Sequence, residues 1–374
     1  MRIGIDYTAA IRQGAGIGRY TRGLIGALPG LDPENSYRLF VAGRGVAGTP
    51  PAAANFRTCW VPLTDRETAL IWQRLRLPIP IELALGRLDL FHSPDFVLPA
   101  TLAARKVLTV HDLSFLRVPE CAHPVLRDYL MRVVPRSVRR ADLVLADSIC
   151  TRDDVVELLG VPEQRVRVVH AGVEACFRPV TEASVLAAVR QRYGLERPFI
   201  LGVGTLEPRK NFVGLIEAFA RLSERRKLSH ELVIVGGKGW LYEPIFERVR
   251  SLRLESRVRF LGYVPDTDLP AVYTLADCLA YPSFYEGFGI PVLEAMACGT
   301  PVVCTQASSL PEVVGEAALL VDPHDVESLV EGLDQVLHDE PLRSGLQVKG
   351  RLRAEQFTWE RAGRTLLAAY YAVR

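Results

Sequence analysis

Two doubly wound α/β domains, each a parallel sheet flanked by helices, are the fold class this sequence predicts. Three observations carry that expectation. The chain has 374 residues, more than one ordinary hydrophobic core accommodates. It opens on a short apolar run, Arg2 to Asp6, then a glycine-rich loop, then a helical apolar face at Tyr20, Leu24 and Leu28. That is the strand, loop, helix order of a ligand-binding βα unit. The same order begins again at Phe199 to Val203, where GTLEPRKN leads into a second helix.

Composition narrows the class of partner. Hydrophobic residues make up 49% and charged residues 24%, as in a globular protein. A net charge of +2 argues against nucleic acid. The seven cysteines form no C-x-x-C pair and no metal-ligand spacing, so free thiols in a reducing cytoplasm are the simplest reading. Met1 runs straight into the first expected strand, so no signal peptide is expected. No apolar run of about 18 residues is present, so no segment is expected to span a membrane. A cytoplasmic location is expected, with peripheral attachment to the inner face of the membrane left open.

In the first half, Gly14, Gly16 and Gly18 read as a turn. The loop is not the dinucleotide fingerprint, because Thr21 stands where the third glycine belongs. Tyr37 to Ala42 is the next strand, and residues 43–56 are a Gly-, Pro- and Ala-rich loop. Leu88 to His92 and Lys106 to Val110 follow as strands. His111 and Asp112 come directly after the latter, at the carboxyl end where open α/β sheets bind ligands. A lone histidine there reads as structural or as part of a site. Leu126 to Arg140 is a helix with an apolar and a basic face. It reads either as an ordinary solvated helix or as a dock for anionic lipid or an anionic acceptor, and Pro135 inside it predicts a kink or break. Leu143 to Asp147 and Val166 to His170 are strands, with a helix capped from Ala146-Asp147-Ser148 running from Thr151 to Leu159 between them.

Residues 172–180 have the turn character of a hinge, which divides the chain into domains 1–175 and 176–355 with a last helix at 356–374. After the strand Phe199 to Val203, Arg209 and Lys210 sit just ahead of a helix that Asn211 can cap. Two cations and a helix N-terminus there can meet one anion. Strands follow at Glu231 to Val235, ending in GGKGW, and at Val258 to Leu261. Asp266 and Asp268 form a literal D-x-D, yet they precede the helix Leu269 to Leu275 and read as caps, not metal ligands.

The strand Cys278 to Tyr281 feeds the stretch around which the second half is organised. Glu286 and Glu294 stand eight positions apart. Gly287 and Gly289 let backbone approach a ligand closely. Pro291 suits a first helical turn, so a helix is expected over Val292 to Cys298, stopped at Gly299 and Pro301 before a buried strand from Val302. Both carboxylates can then face one crevice, with the amides of Gly289, Ile290 and Val292 pointing there as phosphate donors. Ala317 to Val321 is a last strand, 325–338 a helix, and 357–373 an amphipathic helix.

EGFGIPVLEAMACGTPVV closely resembles the signature of the family 4 retaining glycosyltransferases, which have the GT-B fold. GTLEPRKN resembles a second signature of that family, and the likeness covers most of the chain. GIGRYTRGL and TVHDLSFLRVPE look most like bacterial mannosyltransferases that use GDP-mannose in polysaccharide assembly. The resemblance implies two Rossmann-like domains facing each other across a cleft, with the last helix packed back on the first. It implies transfer of a hexose from a nucleotide sugar to a hydroxyl of a glycan or lipid-linked acceptor, with retention and with neither cofactor nor metal. Arg209 and Lys210 would bind the diphosphate with the amides of Gly289 and Ile290. Glu286 would hold sugar hydroxyls, Glu294 the ribose diol, and the backbone at Val264 the base. Gly16 would lie against diphosphate and acceptor, and His111 against the transferred sugar. Asp112 would orient His111 or meet the acceptor. Glucosyl transfer from UDP-glucose, a sugar phosphorylase and a nucleotide-sugar epimerase are alternatives within the fold. A catalytically idle nucleotide-sugar sensor is an alternative outside enzymes, against which intact His111, Arg209, Lys210 and Glu286 argue.

Overall fold

Short apolar strands buried on both faces set the architecture, as parallel sheets require. The computed structural model describes residues 1–14, 16–43 and 49–374. The chain forms two units. One comprises Met1–Leu113, Val125–Gly172 and Thr358–Arg374; the other comprises Ser114–Pro124 and Val173–Phe357. Ser114–Pro124, which a division at residue 175 leaves with the first domain, clusters with the second unit. There the Trp240 indole N–H donates to the Cys121 carbonyl at 2.9 Å.

The first unit carries β1 (Arg2–Asp6), β2 (Ser36–Ala42), β3 (Phe56–Val61), β4 (Leu90–Ser93), β5 (Arg105–Val110), β6 (Leu143–Ala146) and β7 (Val166–Val168). They form one parallel sheet in the order β3-β2-β1-β4-β5-β6-β7. Ile3 of β1 pairs with Tyr37 and with Leu90, and all three side chains are buried. β3 lies just past the loop expected over 43–56; residues 44–48 of that loop fall outside the described residues. As an edge strand it has one neighbour and half-exposed side chains, so its apolar pattern is weak.

Two further expectations for this unit are corrected. The helix after β1 spans Gly16–Gly26, so Gly18 is helical and not part of the turn. A Cβ on Gly18 would stand 1.9 Å from the Gln13 carbonyl oxygen, which explains the glycine by close approach. The helix Pro124–Arg140 continues through Pro135 without a break. The terminal helix Trp359–Ala372 packs on the helices Gly16–Gly26 and Leu28–Leu31. Trp359 lies over Gly23, where a Cβ would be 2.1 Å from the indole.

The second unit carries β8 (Phe199–Val203), β9 (Glu231–Val235), β10 (Val258–Gly262), β11 (Cys278–Tyr281), β12 (Val302–Thr305) and β13 (Leu319–Val321). Its parallel sheet runs β10-β9-β8-β11-β12-β13. Phe212, Leu215, Phe219 and Leu222 from the helix Phe212–Arg226, and Leu329 and Leu333 from Val326–His338, build its core with Ile200, Leu232 and Val303. Asn211 caps the former helix, its side-chain oxygen accepting from the Gly214 amide. The helix Glu340–Ala354 had no expectation attached to it. Its Gly345 and Gly350 blur the apolar period, yet it packs on the helix Ile290–Ala297, with Gly350 beside Met296. All seven cysteines are free thiols. Among the described residues, no helix is long and apolar enough to cross a membrane.

Asp268 is not the side-chain cap expected. It occupies the N-cap position of Leu269–Leu275 without a side-chain cap bond. Its buried carboxylate instead accepts from Arg192 Nη1 at 2.6 Å and Tyr193 Oη at 2.7 Å, both on the helix Ala183–Tyr193. Burial alone would raise its carboxyl; these two donors outweigh that and hold it below the ordinary value. Asp268→Ala should therefore lower unfolding free energy by about 1–3 kcal/mol, read from the urea midpoint. An unchanged midpoint would contradict the assignment.

Candidate active site

Strand order reverses at β8 and β11, which are hydrogen-bonded neighbours (Cys278 beside Ile200, Leu279 beside Leu201). The connections that leave two such strands diverge to opposite faces and open a crevice at their carboxyl ends. Arg209 and Lys210 leave β8; Glu286 leaves β11.

The loop after β8 is tight. Gly204 has φ +153°, and a Cβ on Gly236 (φ +148°) would sit 1.9 Å from the Gly204 carbonyl oxygen. The two strand ends thus touch backbone to backbone. The chain then makes a 3₁₀ turn, Pro208–Lys210, before Asn211. This turn aims both cations at one carboxylate. Lys210 Nζ donates to Glu286 Oε1 at 2.6 Å and to Tyr281 Oη at 2.9 Å. Arg209 Nη1 donates to Glu286 Oε2 at 3.0 Å and to the Tyr285 carbonyl at 2.9 Å. The rest of the guanidinium is held by Glu207, which accepts from Nε at 3.1 Å and from Nη2 at 2.7 Å.

The opposite wall is pinned by the residues after β12. The Glu286 amide donates to Ser308 Oγ at 2.7 Å, and Ser309 Oγ donates to the Glu286 carbonyl at 2.9 Å. Gly289 has φ +105°, and a Cβ there would stand 2.8 Å from Leu310 Cδ2. The helix that follows is Ile290–Ala297, two residues earlier than expected. The amide of Val292 is not directed outward as expected. It donates to the Gly289 carbonyl at 3.0 Å within the first turn, leaving Gly289 and Ile290 as the expected donors at the helix start. Glu294 is buried and accepts from Tyr273 Oη at 2.9 Å. Val264 is buried in the loop after β10, where the Gly262 carbonyl accepts from the Gly236 amide.

Electrostatics follow from burial against pairing. Lys210 is 8% exposed and Glu286 5%. Burial alone would push the Glu286 carboxyl up, but Lys210 and Arg209 together hold it down at about 2. Burial draws the Lys210 ammonium below its ordinary value, and the Glu286 charge offsets part of that. Burial and the Glu286 charge keep the Tyr281 phenol protonated.

In the first unit, Gly16 is the first residue of its helix and exposed. His111 and the half-buried Asp112 follow β5. The Tyr20 ring, on the helix that Gly16 begins, meets the His111 ring edge-on at 5.1 Å. His111 contacts Asp147 and the Pro94 carbonyl, each at 2.7 Å. The sequence reading missed Glu207, Tyr281, Ser308, Ser309 and Asp147. Tyr281 and Asp147, at strand carboxyl ends, carried a positional signal, and Glu207 stood within GTLEPRKN; Ser308 and Ser309 carried none. Among the described residues no three His, Cys, Asp or Glu side chains gather as a metal site.

Comparison with known proteins adds the following. A family profile described as Glycosyltransferase Family 4 matches residues 14–175, and one described as Glycosyl transferases group 1 matches residues 188–353. The chain is 38% identical over 283 residues to O-antigen chain mannosyltransferase B of Escherichia coli, a match covering 75% of this chain and 74% of that one. It is 30% identical over 282 residues to the serotype-specific mannosyltransferase WbdA of Escherichia coli, covering 72% of this chain but 34% of that protein's length. The solved structure of sucrose-phosphate synthase from Thermosynechococcus elongatus superposes with a TM-score of 0.81 at 22% identity, over 100% of this chain and 99% of that one. Anabaena HepE in complex with UDP and glucose gives 0.74 at 20% identity, over 99% and 98%. At such identity these two likenesses concern the fold.

One prediction concerns pH. The Glu286 carboxyl lies at about 2 in the folded protein against an ordinary 4.5. A carboxyl held down by folding contributes stability that is present above the unfolded value and lost as pH falls through the folded one. The stability gap between wild type and Glu286→Gln should therefore be widest near neutral pH and narrow between pH 4.5 and about 2. Urea titrations across that range test it; a gap independent of pH would contradict the ion pairing.

Proposed function

Because the chain belongs to glycosyltransferase family 4, with the GT-B fold and hexosyltransferase relatives, we propose that it transfers mannose from GDP-mannose to a hydroxyl of a glycan or lipid-linked acceptor, with retention and without metal. The observation that carries this reading is the convergence of Arg209 and Lys210 on one crevice at the β8–β11 switch point. A departing nucleoside diphosphate develops negative charge. Two cations held in place by Glu207, Tyr281 and Glu286 meet that charge without reorganising, which is the electrostatic form of catalysis that lowers such barriers most. The start of the helix Ile290–Ala297 adds its dipole to the same end.

Glu286 can serve sugar hydroxyls while keeping its cations, since each carboxylate oxygen has a second lone pair. Glu294, fixed by Tyr273, is the acceptor assigned to the ribose diol, and the backbone at Val264 the contact assigned to the base. Gly16, His111 and Asp112 form the side assigned to the sugar and the acceptor. The mannosyltransferase relatives in Escherichia coli support mannose over glucose.

The test is turnover with purified protein, a lipid-linked or oligosaccharide acceptor, and GDP-mannose or UDP-glucose. GDP-mannose should be consumed with product formed in excess chelator, and Arg209→Ala or Lys210→Ala should each reduce turnover about a hundredfold or more. Near-normal turnover in both variants would contradict the diphosphate assignment. Preference for UDP-glucose would contradict the donor, and loss of activity in chelator restored by a divalent cation would contradict metal independence.

A further inference from the structure

We propose that Asp147 is a positioning residue that keeps His111 as a doubly protonated, fixed imidazolium, so that the ring serves as a fixed cation and never as a base.

The geometry suits a ring protonated on both nitrogens. Nδ1 of His111 stands 2.7 Å from Asp147 Oδ2, and Nε2 stands 2.7 Å from the Pro94 carbonyl oxygen. A neutral imidazole has one N–H and one lone pair. Beside an ionised Asp147, either neutral tautomer would press a lone pair against an acceptor oxygen in a site where the ring is 6% exposed. Two acceptors at these distances call for two N–H donors. The ring cannot turn away: Tyr20 and Phe96 stand edge-on to it at 5.1 and 5.5 Å, and its backbone carbonyl accepts from Thr151 Oγ1 at 3.2 Å.

The neighbouring strand supplies the contrast. His92, on β4, is also buried, but its nitrogens face the hydroxyls of Tyr370 at 2.7 Å and Thr109 at 2.9 Å. A hydroxyl donates or accepts as required, so a neutral ring is satisfied there. Burial and the His111 charge push His92 down to about 3. For His111, burial acts the same way, but Asp147 outweighs it, with help from Asp95 and the Pro94 carbonyl, and the ring rises to about 9. The charged groups around it are thus Asp147 and Asp95, both in its favour, with Asp112 acting on Asp147 and the His92 ring and Tyr20 phenol neutral. Burial lifts the Asp147 carboxyl as well. The Pro94 carbonyl, which accepts from Nε2, adds to the preference for a protonated ring.

The catalytic use of this cation rests on the reading of His111 against the transferred sugar. Its existence does not, and the two are tested separately. Histidine ring nitrogen spectra of the ligand-free wild type, with the His111 signal assigned by its loss in His111→Gln, should show two protonated nitrogens from about pH 6 to about pH 8. A wild-type His111 that titrates near the ordinary 6.5 would overturn the inference. In Asp147→Asn the ring should become neutral by about pH 7, and turnover should fall about tenfold more at high pH than at low pH. Asp147→Glu should restore much of the charge. An Asp147→Asn ring that stays charged would overturn the role of Asp147. A variant that loses the charge yet turns over like wild type at every pH would overturn the sugar-contact reading of His111 instead.

Discussion

A carboxylate buried between two cations, Glu286 with Lys210 and Arg209, is the interaction on which the second unit's crevice depends. A buried charge costs several kcal/mol unless it is paired and hydrogen-bonded. The local fold is arranged so that none of these three lacks a partner. The 3₁₀ turn after β8 delivers the cations, the residues after β12 fix the Glu286 backbone, and Glu207 and Tyr281 accept further bonds from the two cations. The chemistry proposed for the protein uses the same property. Cations already held in place need no reorganisation when an anion arrives.

The first unit solves a related problem with a histidine. His111 is charged because an acid and a carbonyl face its two nitrogens; His92, one strand away, is neutral because two hydroxyls do. Both units therefore keep fixed positive charge at the carboxyl ends of parallel strands. In each, a partner contributed from another strand end, Glu286 or Asp147, holds the charge.

That separation explains what could be read from the sequence. Strands buried on both faces, such as Phe199–Val203 and Cys278–Tyr281, announce themselves as continuous apolar runs, and the helix after Asn211 announces itself through its cap. The edge strand Phe56–Val61 does not, because half of its surface faces water. Arg209, Lys210, Glu286 and His111 were legible from residue type, strand-end position and motif. Their partners were not. Tyr281 meets Lys210 across 71 residues of sequence, and Asp147 meets His111 across 36. Asp268 was misread for the opposite reason: its position suits a local cap, and a partner 76 residues away took the carboxylate instead.

The account stands or falls on where a diphosphate binds. A crystal structure of the protein with GDP tests this most directly. The account predicts phosphate oxygens within about 3 Å of Lys210 Nζ and the Arg209 guanidinium, at the N-terminal end of the helix Ile290–Ala297. A diphosphate seated elsewhere, with Arg209 and Lys210 still bound only to Glu207, Tyr281 and Glu286, would contradict it.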